Sequence, residues 1–305
     1  MKQHRTKTTG KIKSKDRRRF NIIAVTILSF ASFICLLPFV LIVAGSFSDE
    51  MKVLTEGYSL LPRGFSLDAY RVLLKNVDQI VASYRNTILI CIIGTVGGLF
   101  VDSMAAYVLS KRDFKWRNIC SFILYFTTVF SGGTVAWYMV LMELGFRNSF
   151  WVLVLPAMLS FYHITVMKSY MLSIPPSIIE SARIDGANDW QIYIRIIMPM
   201  SKAVLATIAM YLVLQYWNEW YNCMLFISDK QLYTLQYYLY NMLNSSATLK
   251  NLIADATTIG LSHNAVPSQT ARLAMTVLAA GPLLMVYPFI QRYFVRGVNA
   301  GAVKE

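Results

Sequence analysis

Apolar residues in this chain gather into long runs, with the polar residues collected between them. Six runs stand out: Phe20 to Phe47, Tyr84 to Ser110, Asn118 to Leu144, Phe150 to Ser169, Ala203 to Ile227 and Ala271 to Phe294. Roughly 20 apolar residues of helix cross a hydrocarbon layer about 30 Å thick, and every run is long enough. Backbone amides in hydrocarbon must bond within their own segment, and the runs do not alternate as barrel strands do, so helices are predicted. The pattern is that of an all-α integral membrane protein: a basic tail over 1–19, then a six-helix domain over 20–305.

The polar interval 174–200, between the fourth and fifth runs, has structure of its own. Pro175 and Pro176 stop the preceding helix. Ser177 with Glu180 has the S-x-x-E form of a capping box, which predicts a new helix start. Gly186 supplies the left-handed residue that ends such a helix, Asn188 with Gln191 offers a second start, and Pro199 closes the second piece. Ile184, Ala187, Trp190, Ile194 and Ile197 give these short helices an apolar side. On the opposite face of the membrane, "LYTLQYYLYNML" places Leu232, Leu235, Leu239 and Met242 at helical spacing, as in an amphipathic interfacial helix.

Composition agrees with the pattern: 56% of residues are hydrophobic, 15% are charged, and mean hydropathy is +0.47. A net charge of +13 invites a nucleic-acid reading, and the placement of the charge argues against it. With both termini inside, the inner segments hold twenty Lys and Arg and the outer segments seven, with Arg85 and Arg272 at the membrane edges. The tail is then a topology determinant drawn to anionic lipid. The first run is too long for a signal-peptide core and is read as an anchor. Cys35, Cys91, Cys120 and Cys223 fall within apolar runs without a C-x-x-C pair, so they are read as packing residues.

Glu180, Ala182, Gly186, Ile196 and Pro199 fit the spacing E-A-A-x3-G-x9-I-x-L-P, with Ser181 and Met198 in place of the second Ala and the Leu. This resembles the cytoplasmic signature of binding-protein-dependent ABC importer permeases. "RNTILI" from Arg85, "AAYVLSK" from Ala105 and "WNEW" from Trp217 extend the likeness to carbohydrate permeases of the maltose-transport type, and to the Gram-positive oligosaccharide branch. The resemblance implies a type I importer permease in a bacterial cytoplasmic membrane, with N- and C-termini cytoplasmic. Its interval 174–200 would be a coupling helix seated in an ATP-hydrolysing subunit through Glu180, Ser181, Ala182, Asp185, Gly186 and Ala187, with Ile196 and Pro199 setting the angle of the next span. It implies a second permease subunit in a heterodimer, two ATP-binding cassette subunits, an extracellular solute-binding protein and a carbohydrate cargo. The chain has no G-x-x-x-x-G-K-[ST] loop, so it is expected to bind no cofactor itself and to leave ATP and Mg to the partner ATPase.

Ionisable groups inside a membrane are costly and mark functional positions. Asp102 lies on a small-residue face with Gly94, Gly98 and Ala106, which favours a structural hydrogen-bonding role; His163 reads as a packing residue bonded to a neighbour. Gln215, Asn218, Glu219 and Asn222 form a polar stripe flanked by Tyr216, Trp217, Trp220 and Tyr221. Such a stripe suits either sugar contact or bonding between helices. An ion-coupled secondary transporter using Asp102 and Glu219 and an intramembrane protease are the competing classes. The first lacks repeated halves, and the second lacks a motif partner for His163.

Overall fold

The computed structural model describes residues 15–74, 77–244 and 269–302. Most of the predicted tail (1–14) and much of the last external segment (245–268) lie outside the described residues. The first helices are α1 (Lys15–Ser46), α2 (Glu50–Glu56), α3 (Asp68–Leu74), α4 (Val77–Ser110), α5 (Arg117–Val129), α6 (Gly133–Glu143) and α7 (Phe161–Met171). They are followed by α8 (Pro176–Ile184), α9 (Asp189–Ile192), α10 (Met198–Met200), α11 (Lys202–Trp217), α12 (Tyr221–Phe226), α13 (235–244) and α14 (Gln269–Ala302). Short 3₁₀ turns occupy Phe150–Leu153 and Leu155–Ala157, and a π turn occupies Tyr193–Ile197. Among the described residues there is no strand, only an isolated bridge between Ser48 and Phe65.

Among the described residues two helices, α1 from Arg18 and α4, are long and apolar enough to cross a membrane by themselves. The predicted third, fourth and fifth runs are not continuous helices: the third and fourth are bent within, the fifth is interrupted between α11 and α12, and a further bend stands just ahead of it. α5 meets α6 at 117°, the 3₁₀ turns of 150–157 meet α7 at 43°, and 189–200 meets 202–226 at 82°. Counting each bent pair as one crossing gives up to five spans among the described residues. Local chemistry explains the breaks. Gly133 takes φ +82° beside Gly132, and Pro156 cannot donate a backbone bond within its turn. The sixth predicted run lies in α14, whose helical backbone continues through Gly281, Pro282 and Pro288.

The chain divides into two compact units. The first comprises residues 1–71 and 268–277. In it, Asp49 caps α2 by accepting from Lys52 N, and Phe47 stacks on Phe65 at 5.9 Å. The Glu50 carboxylate accepts from the amides of Gln269 and Thr270 and from the Thr270 hydroxyl, at 2.8, 3.0 and 2.7 Å, satisfying the open donors at the start of α14. α1 leaves Phe20, Leu28, Phe33 and Leu36 exposed, an arrangement stable against hydrocarbon and costly in water.

The second unit, residues 72–267 and 278–305, is organised around α4, which packs most extensively on α11 and α7. Small residues allow the approach. A Cβ at Gly94 would overlap the Tyr216 ring, and one at Gly98 would sit 3.2 Å from Leu212 and 3.3 Å from the Met158 carbonyl. Asp102 lies one turn further along the same face, fully buried. Gly94→Val should lower the stability of the purified protein in detergent by about 1–3 kcal/mol. Gly281→Ala, with nothing within 4 Å of the added carbon, should not lower it; thermal unfolding of both variants checks the contrast.

Candidate functional site

The interval 174–200 is two helices joined by a tight turn, reached differently from the sequence expectation. α8 begins at Pro176, whose missing N–H is an open donor position anyway, so Ser177 falls inside the first turn and makes no capping bond. The predicted Ser177–Glu180 box is therefore not formed. The second start signal is the real box: Asn188 Oδ1 accepts from Gln191 N, and Gln191 Oε1 accepts from Asn188 N, each at 2.9 Å. Between them Gly186 takes φ +79°, with Ala187 N donating to Ala182 O and Gly186 N to Arg183 O, a Schellman closure.

Pro199 does not close the second helix. The backbone runs on to Met200 and turns only at Ser201, because the π turn over 193–197 widens the helix just before the proline, where its ring would strike the preceding carbonyl. The apolar side also differs from the prediction. Ile192, Tyr193 and Ile197 face the interior, whereas Ile184 (86% exposed), Trp190 and Ile194 face outward. Glu180, Ser181, Asp185, Gly186 and Pro199 are exposed as well, with Ala182, Ala187 and Ile196 half-buried.

Contacts missed by the sequence reading hold this segment on α4 and on the turn that follows it. The hydroxyls of Tyr193 and Ser103 lie 2.7 Å apart, and the rings of Tyr193 and Tyr107 are 5.4 Å apart. Lys111 pairs with Asp189 at 2.7 Å and sits over the Tyr107 ring, while Arg183 reaches Asp113 at 3.2 Å. The hydrogen bond from Lys111 holds the Asp189 carboxyl below its ordinary 3.8, against an opposing desolvation and with Coulomb attraction to Lys111 and Arg183. A depressed carboxyl stabilises the folded state fully above pH 3.8 and loses that contribution only as pH falls below it. A cavity of about 200 Å³ opens beneath α8, lined by Lys111, Arg112, Glu180 and Arg183. The signal in sequence was Tyr107 and Lys111, four residues apart at the end of an apolar run.

The predicted polar stripe is split. α11 stops at Trp217, so Gln215 lies on one helix and Asn222 on the next. Gln215 and Asn218 are exposed, and Asn218 Nδ2 returns to the Leu214 carbonyl at 2.8 Å. Tyr216 and Trp217 belong to the core: fully buried Tyr216 donates to Val154 O at 2.9 Å, and Trp217 Nε1 donates to Ala279 O at 3.2 Å. Of the two readings offered for these aromatics, Tyr216 and Trp217 take bonding between elements rather than sugar contact. Glu219 accepts from Asn222 N at 2.8 Å and from Asn222 Nδ2 at 3.1 Å, so its carboxylate caps the start of α12. Asp102 accepts from Ser160 N at 3.1 Å and lies 3.2 Å from His163 Nδ1, the neighbour expected for that histidine. Among the described residues no His, Cys, Asp or Glu cluster is arranged to hold a metal.

No family model matches the chain. The polygalacturonan/rhamnogalacturonan transport system permease protein YtcP of Bacillus subtilis is 35% identical over 287 residues, spanning 94% of this chain and 99% of that one. The chain belongs to the ABC sugar-transport permeases. LplC of the same bacterium is 34% identical to this permease over 95% of its length and 97% of LplC. A chain of a bacterial ABC transporter that imports the acidic polysaccharide alginate superposes with a TM-score of 0.80 at 28% identity, covering 92% of the permease and 98% of that chain. Membership sets aside the secondary-transporter and protease readings, and with them an enzymatic role for the permease.

The cap geometry separates two roles of Glu219. Glu219→Gln keeps an acceptor for Asn222 N and should match wild-type thermal stability, whereas Glu219→Ala should cost about 1 kcal/mol. Unfolding of the detergent-purified variants checks this.

Proposed function

We propose that the permease is one of two non-identical membrane subunits of a binding-protein-dependent importer, driven through 174–200 by a pair of ATP-hydrolysing partners. ATP and Mg belong to those partners, since no phosphate loop occurs in this sequence. The observation that carries the reading is the hook at Ile184–Gly186: an apolar side chain standing almost wholly clear beside a left-handed glycine, on a segment otherwise fastened to α4. An exposed isoleucine at a rigid turn is the feature a protein groove recognises. Glu180, Ser181 and Asp185 surround it as exposed polar contacts, while half-buried Ala182 and Ala187 back the turn.

The crossings are completed by α14, giving six in all with both termini on the cytoplasmic side, in keeping with the inward bias of Lys and Arg. Opening and closing alternate as ATP favours the closed arrangement of its own subunits and the docked hooks follow. The cargo is an oligosaccharide released by an extracellular binding protein. YtcP is named for pectin-type polymers and the superposed transporter for alginate, so acidic oligosaccharides are the first class to test. Gln215, Asn218, Glu219 and Asn222 line the permease's share of the path, beside Trp220 stacked on Tyr240 at 4.8 Å.

The test is ATP-dependent uptake by vesicles containing the permease with its neighbouring transporter subunits and binding protein. Gly186→Asp adds a Cβ at a positive φ, where no atom lies within 4 Å, so strain and the acquired charge act on the hook alone. Membrane insertion should be retained and uptake should fall at least ten-fold. Wild-type uptake by this variant would remove the hook from the mechanism.

A further inference from the structure

The coupling segment has two routes into the membrane part of its unit: the chain itself, which continues into α11, and the side chains that hold it on α4. We propose that its movement travels by the second route, with Tyr193, Ser103 and Asp102 as positioning residues that carry it across α4 to the break before α7. The proposal rests on the coupling role assigned above to 174–200.

The chain route is compliant. It passes through the π turn of 193–197 and then an 82° bend at Ser201, whose buried hydroxyl has no hydrogen-bond partner. A widened turn followed by a sharp bend provides few directional bonds to resist a change of angle. A push on α9 is then absorbed at the bend before it reaches α11.

The route through α4 is stiff. Tyr193 and Ser103 are both buried, and their hydroxyls are 2.7 Å apart. Tyr107 packs against Tyr193 with the rings tilted at 35°, its hydroxyl donates to the Asp189 carbonyl at 3.4 Å, and Lys111 closes on the Asp189 carboxylate at 2.7 Å. Ser103 and Tyr107 lie about one turn, or roughly 6 Å, apart on one face of α4, and Lys111 follows directly after its end. Bonds spread along a helix resist rotation as well as separation.

The next residue on α4 makes the second connection. Neighbouring helical residues project about 100° apart, so Asp102 and Ser103 reach different elements. Asp102 is 0% exposed; it accepts from Ser160 N at 3.1 Å and lies 3.2 Å from His163 Nδ1. Ser160 is the residue preceding α7, at the 43° break in that span. The start of α7 is therefore capped by a carboxylate belonging to another helix. Withdrawing that cap would strand an amide where no water replaces it, so α7 follows α4. The pair Ser103–Asp102 links the cytoplasmic handle on one side to the broken span on the other.

The experiment uses the complete transporter in proteoliposomes and measures cargo moved per ATP hydrolysed. Tyr193→Phe and Ser103→Ala each remove one hydroxyl from a single bond and leave the surrounding packing in place. Each should retain ATP hydrolysis within about two-fold and lose about five-fold in cargo per ATP, the scale of one net hydrogen bond. The double variant should lose no more than either single one. Asp102→Asn, which keeps an acceptor for Ser160 N, should transport better than Asp102→Ala. A second readout covers variants with weakened assembly: labelling of Leu159→Cys, at the exposed break, should change between nucleotide-free and ATP-trapped wild type and stay constant in Ser103→Ala. Losses that multiply in the double variant, an unchanged cargo-to-ATP ratio, or undiminished labelling changes would each overturn the relay while leaving the coupling role intact. Failure of the wild-type permease to assemble with any ATPase would overturn both.

Discussion

A break in a helix inside hydrocarbon exposes amides and carbonyls that water cannot reach, and the protein must supply their partners itself. The second unit depends on meeting that constraint. Asp102, from α4, takes the open amide before α7; Tyr216, from α11, donates to Val154 O in the 3₁₀ stretch; Glu219 takes the amide of Asn222 at the start of α12. In the α5–α6 bend, Ser131 Oγ accepts from Gly133 N at 3.3 Å. Each of these breaks is thus held by a particular side chain, whereas the bend at Ser201 is not. Broken spans so held can rearrange as bodies without their ends unravelling, and a transport subunit needs that property.

The same constraint explains why polar residues in spans have two readings that sequence alone does not separate. Glu219 and Asn222 look like a cargo-binding stripe by spacing, and the structure shows the carboxylate also serving as a cap. Tyr216 and Trp217 resemble sugar-stacking aromatics, yet their polar atoms are used on Val154 and Ala279. Asp102 was legible as structural because Gly94, Gly98 and Ala106 placed it on a close-packing face. No comparable pattern marked the end of α11 at Trp217, since hydropathy averages over a three-residue interruption.

In the interval 174–200, backbone chemistry was more readable than side-chain contacts. Gly186 and the Asn188–Gln191 pair were visible because left-handed glycine and capping residues act locally. Ser177 misled because the helix starts at Pro176, two residues earlier than a Ser177 cap would place it, and Pro199 misled because a π turn accommodates it. The fastening of Tyr193 to Ser103 and of Asp189 to Lys111 joins positions far apart in the chain, for which a single sequence carries no spacing rule.

What emerges is a handle with two unlike faces. Its inner face, Ile192, Tyr193 and Ile197, is committed to the permease, while Ile184 at the hook is left uncovered. A cysteine at Ile184, crosslinked in membranes containing the whole transporter, tests the arrangement most directly. The account predicts a single product with the ATP-hydrolysing subunit, whose yield changes when nucleotide is trapped. A crosslink only to lipid or to other membrane subunits, with no ATPase product in an actively transporting membrane, would contradict it.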